Sequence, residues 1–175
     1  MLNITLNWAQ GIINSIGCDG LIRIMFVCHG NICRSPMAEF VFKDLINKKG
    51  ISDKFYVLSS ATSTEEIWNG VGNPVYPPAK RVLNAHGINC DCKRAVLLKG
   101  GDYDNFDYFI GMDGANIRNM HRILMGDPDK KIYKLLSFSG RSDDVADPWY
   151  TGDFETTYSD VVEGCEALLE FILNN

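Results

Sequence analysis

Residues 28–35 read Cys28-His29-Gly30-Asn31-Ile32-Cys33-Arg34-Ser35, a thiol followed at short range by a guanidinium and a hydroxyl. Gly30 and Asn31 are residue types that tolerate the left-handed backbone of a tight curl. A curl between a strand and a helix turns successive backbone N–H groups inward, making an anion nest beside the positive helix N-terminus. Arg34 adds a planar fork able to grip two oxygens of one phosphate. The same field favours thiolate at Cys28, because cations and helix N-termini lower a cysteine pKa from about 8.5 to about 3.5–7.5. Ser35 can donate a hydrogen bond to the sulfur. A Walker-type nucleotide loop is excluded, since no Gly-Lys-Ser/Thr follows the glycine. A buried cysteine at a strand end, beside a solvated arginine, is the alternative these residues leave open.

A second constellation lies far along the chain at Asp147-Pro148-Trp149-Tyr150. Taking a phosphoryl group from an aryl oxygen requires an acid to protonate the leaving group. A carboxyl on a loop stiffened by Pro148 can supply that proton, and Trp149 and Tyr150 can wall a slot for a flat ring. The segment reads equally as a turn before a helix, with Thr151 or Asp153 as cap.

The elements that must position these groups alternate strand and helix. Residues 21–27 form a short apolar run that suits a buried strand. Ser35 and Pro36 open a helix, with the hydroxyl as cap, Glu39 early, and Lys48, Lys49 and Gly50 at its end. Further strands are expected at residues 55–59, 106–112 and 132–136, with helices from Pro77 to His86, over 113–124 and over 154–173. The last helix sets Tyr158, Val161, Val162, Cys165, Leu168, Leu169 and Ile172 on one side. This alternation predicts a single α/β domain, a parallel sheet with helices on both faces, and a ligand site beyond the strand C-termini.

The chain has 175 residues, with 17 basic and 22 acidic side chains giving a net charge of −5. That balance leaves no footprint for nucleic acid, and no apolar run approaches the roughly 18 residues of a membrane span. Six cysteines are too few for a secreted disulfide scaffold of this length, so reduced thiols in a cytoplasm are expected. Cys90-Asp91-Cys92, lacking a second Cys/His pair, makes a poor zinc site. Residues 1–20 contain no Lys or Arg, which argues against a secretory signal and against a lipoprotein reading of Ser15-Ile16-Gly17-Cys18. Ile4, Trp8, Ile12 and Ile16 recur at helical spacing, and residues 1–20 are read as an extension outside the 21–175 domain.

From about Leu21 to Leu173 the chain resembles the low-molecular-weight protein-tyrosine phosphatases. The likeness lies in the loop from Val27 through Cys28 and Arg34 to Glu39, in Met112-Asp113, and in Asp147-Pro148-Trp149-Tyr150. It implies a flavodoxin-like four-stranded sheet and a hydrolase of phosphotyrosine proteins or small aryl phosphates that releases inorganic phosphate without metal or cofactor. By that resemblance Cys28 is nucleophile, Arg34 binds phosphate and Asp147 is general acid. Ser35 assists the thiolate, and His29, Gly30, Asn31, Ile32 and Cys33 complete the phosphate loop, Asn31 holding its shape. Cys33 matches a position that in some members forms a reversible disulfide with the nucleophile; a loop-packing role is the alternative. Asp113 and Asn116 brace the loop, or Asp113 caps a helix. Trp68, Trp149 and Tyr150 are the expected pocket aromatics, with Glu65 the competitor for Trp68's place. Arsenate reductases share the fold and loop, but their relay cysteines fall where this chain has Gly111-Met112-Asp113. A catalytically inactive phosphotyrosine-binding module is a further alternative, against which Asp147 weighs, because binding alone needs no leaving-group acid.

Overall fold

The computed structural model describes residues 20–175; the expected helix over residues 4–16 and the Cys18 thiol lie outside the described residues. In chain order the elements are β1 (Ile22–Cys28), α1 (Arg34–Lys48), β2 (Phe55–Ala61), β3 (Ile67–Trp68), β4 (Val71–Gly72), α2 (Pro77–Ala85), β5 (Tyr108–Gly111), α3 (Gly114–Ile123), β6 (Ile132–Lys134), α4 (Pro148–Thr151) and α5 (Phe154–Asn174). Four strands form a sheet in the order β2-β1-β5-β6, every neighbour parallel.

Side-chain alternation along β1 explains why, Arg23 apart, its sequence is apolar. Ile22, Ile24, Phe26 and Cys28 enter the larger core with Met37, Val41 and Phe42 of α1 and Val161, Cys165 and Leu168 of α5. Met25 and Val27 face the opposite side, where Phe109, Met120 and Leu124 close a smaller core under α3. A strand buried on both faces has no polar face to show.

The strand order also fixes where a ligand can sit. The chain leaves β1 for β2 on one side and β5 for β6 on the other, so the loops after β1 and β5 diverge at the C-terminal edge and leave a crevice between them.

The structure departs from the sequence pattern at several element ends. α1 starts at Arg34 with no side-chain cap, because Ser35 and Glu39 are turned into the interior and bond there. Asp107, expected inside a strand, pairs at the strand's edge instead: its carboxylate accepts the Arg23 amide at 2.7 Å, and β5 begins one residue later. β6 stops at Lys134, and Leu135–Ser139 wind into a 3₁₀ turn that buries Leu135 and Leu136. Asn69 and Gly70, both with positive φ, turn a β3–β4 hairpin.

Gly164 of α5 lets the Leu135 turn approach closely: a Cβ built there would lie 2.5 Å from Leu135 Cγ. Gly to Ala in a helix interior normally stabilises by about 1 kcal/mol. Gly164→Ala is expected to do the opposite, lowering stability by about 1–3 kcal/mol in denaturant titration because overpacking dominates.

Candidate active site

The chain curls immediately beyond β1. The carbonyl oxygens of Cys28, His29 and Ile32 accept from the amides of Thr62, Ser63 and Tyr76 at 2.9, 3.0 and 2.8 Å, and that of Cys33 from Met37 at 3.1 Å. With its carbonyls committed outward, the loop turns its N–H groups inward, and the Asn31 amide reaches Cys28 Sγ at 3.3 Å. Asn31 takes φ 58° to make the turn.

Asn31 is fully buried and every polar position of its carboxamide is used. Nδ2 donates to Ser35 Oγ at 2.9 Å and to Ser59 Oγ at 2.8 Å, while Oδ1 accepts from Val96 N at 2.9 Å. Ser59 passes its own proton to Glu39 Oε2 at 2.5 Å. Ser35 Oγ, already accepting from Asn31, lies 3.0 Å from Cys28 Sγ and 3.5 Å from the Ser60 carbonyl, so its hydroxyl proton can turn to the sulfur or to that carbonyl. Glu39 is a buried carboxylate held by Lys93 Nζ at 3.0 Å and Lys43 Nζ at 2.5 Å. Burial pulls the Lys93 ammonium below its ordinary pKa, with Glu39 opposing that shift.

Arg34 joins the loop to the rest of the crevice. Its Nη1 donates to Asp113 Oδ2 at 2.7 Å, and its Nη2 meets Asp147 Oδ2 at 2.8 Å. Burial opposes its charge, but Cys28, Asp147 and Asp113 outweigh burial and raise its pKa further. Asp113 also caps α3 through Oδ1 and Asn116 N at 2.6 Å, so brace and cap are one residue. Asn116 turns its carbonyl to the Met112 amide at 3.1 Å, away from the loop. Asp147 caps α4 by accepting Trp149 N at 3.0 Å, while Asp153 caps α5.

These groups open on a cleft of about 400 Å³ whose lining includes Cys28, Arg34, Asp113, Asp147, Trp149 and Tyr150. A family model described as low molecular weight phosphotyrosine protein phosphatase matches residues 23–175. The chain belongs to this family. It is 40% identical over 154 residues to the low molecular weight protein-tyrosine-phosphatase YfkJ of Bacillus subtilis, covering 87% of this chain and 96% of that one. The crystal structure of YfkJ superposes with a TM-score of 0.82 at 38% identity, over 89% of this chain and 97% of that one. A Streptococcus pyogenes low molecular weight protein tyrosine phosphatase gives 0.75 at 40% identity, over 86% and 93%.

The phosphatase brings Cys28, Arg34, Asp147, Trp149 and Tyr150 to one cleft, with His29, Gly30, Ile32 and Cys33 along its wall; Asn31 and Ser35 stand behind it as the buried scaffold. Trp68 is not among the cleft residues and is 71% exposed on the hairpin. The hairpin starts after Glu65 and Glu66, so the wall receives those two carboxylates in its place. Glu65 Oε2 lies 3.0 Å from His29 Nε2, and the Glu66 side chain lies over Gly30, where a Cβ would sit 3.0 Å from its Cγ. Cys33 is a free thiol whose pKa burial, reinforced by Cys28 and Asp147, raises to about 12. Among the described residues no cluster of three His, Cys, Asp or Glu side chains could hold a metal, Cys90 and Cys92 included. Sequence reasoning missed Glu39, Ser59 and Lys93 as a polar support; an acidic residue in a helix and a lysine in a loop carry no local signal of that pairing.

Asn31→Ala removes every bond of the carboxamide and places a β-carbon residue at positive φ without local compensation. It is expected to lower stability by about 1–3 kcal/mol in denaturant titration. Because its pKa lies far above neutrality, Cys33 is expected to remain unalkylated by iodoacetamide at pH 8 in the native protein, as read by peptide mass mapping.

Proposed function

We propose that this phosphatase hydrolyses phosphotyrosine in proteins, and small aryl phosphates, through a cysteinyl-phosphate formed at Cys28. The observation that carries the reading is the convergence of Cys28, Arg34 and Asp147 on one cleft, with Ser35 Oγ 3.0 Å from the Cys28 sulfur.

The loop amides and Arg34 receive the phosphate and stabilise charge on its equatorial oxygens. Cys28 thiolate attacks phosphorus as the bond to the aryl oxygen breaks, and Asp147 delivers its proton to that oxygen. Tyrosine leaves. Asp147, now a carboxylate, takes a proton from water as the water attacks the cysteinyl-phosphate, releasing inorganic phosphate and Cys28 thiolate. Ser35 stabilises the sulfur as it departs. Trp149 and Tyr150, exposed at the cleft mouth, flank the incoming ring.

No step calls for a metal or cofactor, and the need for a free Cys28 thiol suits a reducing cytoplasm. Within the described residues no helix is long and apolar enough to cross a membrane. For Cys33 the reading is a redox guard: peroxide oxidises Cys28 to a sulfenic acid, which removes the negative charge that helps hold the Cys33 proton, and the Cys33 sulfur then displaces water and closes a reversible disulfide.

Cys28→Ser is expected to abolish turnover of p-nitrophenyl phosphate, and EDTA to leave the parent enzyme unaffected. Asp147→Ala should lower kcat/KM for phenyl phosphate by about 10²-fold or more while still capturing phosphotyrosine protein. Undiminished turnover by Cys28→Ser overturns the mechanism.

A further inference from the structure

The residue before the acid is held at both ends of its peptide geometry by one helix. Asp160 Oδ2 accepts from the Ala146 amide at 3.0 Å, and Thr157 Oγ1 donates to the Ala146 carbonyl at 2.8 Å. Thr157 and Asp160 stand three residues apart on α5 and therefore on one face. Thr157 is fully buried and Asp160 nearly so. The second Asp160 oxygen, Oδ1, accepts from Arg141 Nη1 at 2.9 Å, and Arg141 also pairs with Glu163 at 2.8 Å and with Asp143. One residue nearer the sheet, the Val145 amide donates to the Met112 carbonyl at 2.9 Å, beside the Asp113 that grips Arg34.

The segment leading to Asp147 is thus fastened to α5 and to the end of β5 up to its last residue, and only then does the chain present its carboxyl to the cleft. None of Arg141, Thr157 and Asp160 lines that cleft. A buried carboxylate on the largely apolar buried face of α5 is costly to desolvate unless fully bonded. Packing alone does not call for it there, whereas a fixed acceptor for the Ala146 amide does.

We propose that Asp160 and Thr157 are positioning residues that set the reach of Asp147 toward the leaving-group oxygen. The proposal rests on the assignment of Asp147 as general acid. A displacement of about 1 Å in a reacting group can cost on the order of 10²-fold in rate, so an anchor one residue away is close enough to matter.

The test compares kcat/KM for phenyl phosphate, whose leaving group needs a proton, with that for p-nitrophenyl phosphate, whose leaving group needs little help. In Asp160→Asn the amide nitrogen cannot accept, so one of the contacts to Ala146 and Arg141 is lost. Thr157→Val removes the hydroxyl that donates to the Ala146 carbonyl, and more distantly to the Asp153 carbonyl at 3.2 Å, at nearly constant shape, and serves if the first variant fails to fold. Each is expected to lower kcat/KM for phenyl phosphate about tenfold, and for p-nitrophenyl phosphate about threefold or less, with inhibition by inorganic phosphate unchanged. In an Asp147→Ala background the same substitutions should add no leaving-group dependence, because the group they position is gone. An equal loss on both esters, while Asp147→Ala still distinguishes them, overturns the positioning role alone. If Asp147→Ala treats the two esters alike, the acid assignment fails and the positioning role fails with it.

Discussion

The buried guanidinium of Arg34 is the interaction on which the site depends. A cation removed from water is costly unless it is matched by anions and hydrogen bonds, and Arg34 is matched by carboxylates arriving on different segments. Asp113 comes from the end of β5 and Asp147 from the loop before α4. The requirement to neutralise one charge therefore draws together the loop after β1, the switch point of the sheet and the loop before α4. Removing one partner of a buried pair typically costs about 3–5 kcal/mol, so the three segments are held as a unit.

Behind that cation lies a neutral scaffold with a directional logic. Asn31 donates to two hydroxyls; one hands its proton to the Glu39 carboxylate and the other is left to face the Cys28 sulfur. Each donor has an acceptor, so the left-handed turn at Asn31 is set by its side chain as much as by its backbone. Lys93 and Lys43 balance Glu39, which keeps the inner end of the chain charged and its outer end fixed. Loop rigidity at the sulfur is thus relayed through Asn31 and Ser35 from Ser59, Glu39, Lys43 and Lys93, none of which lines the cleft.

The rim is built more loosely. Glu65 and Glu66 enter the wall because the short β3–β4 hairpin carries Trp68 outward, and the Trp149 ring packs on Tyr76 with centroids 5.7 Å apart. Tyr150 is 86% exposed.

The sequence by itself determined the fold class and the reactive groups. Apolar runs of strand length alternating with helical periodicity call for a parallel sheet covered on both faces, and the Gly30-Asn31 pair between strand and helix points to a tight curl that brings Cys28 and Ser35 together. Both are local patterns, readable along the chain. What the tertiary structure decided was everything that rests on distant pairing. Ser35 and Glu39 have the local grammar of a helix cap, yet long-range bonds to Cys28, Asn31 and Ser59 outweigh a solvent-exposed cap, and α1 begins uncapped. Trp68 has the chemistry of a pocket wall, but the Asn69-Gly70 turn carries it outward and gives the wall to its acidic neighbours. Lys93, Thr157 and Asp160 carry no mark in the sequence at all, because the significance of a buried polar side chain lies in the partner that satisfies it, and only the fold supplies the partner.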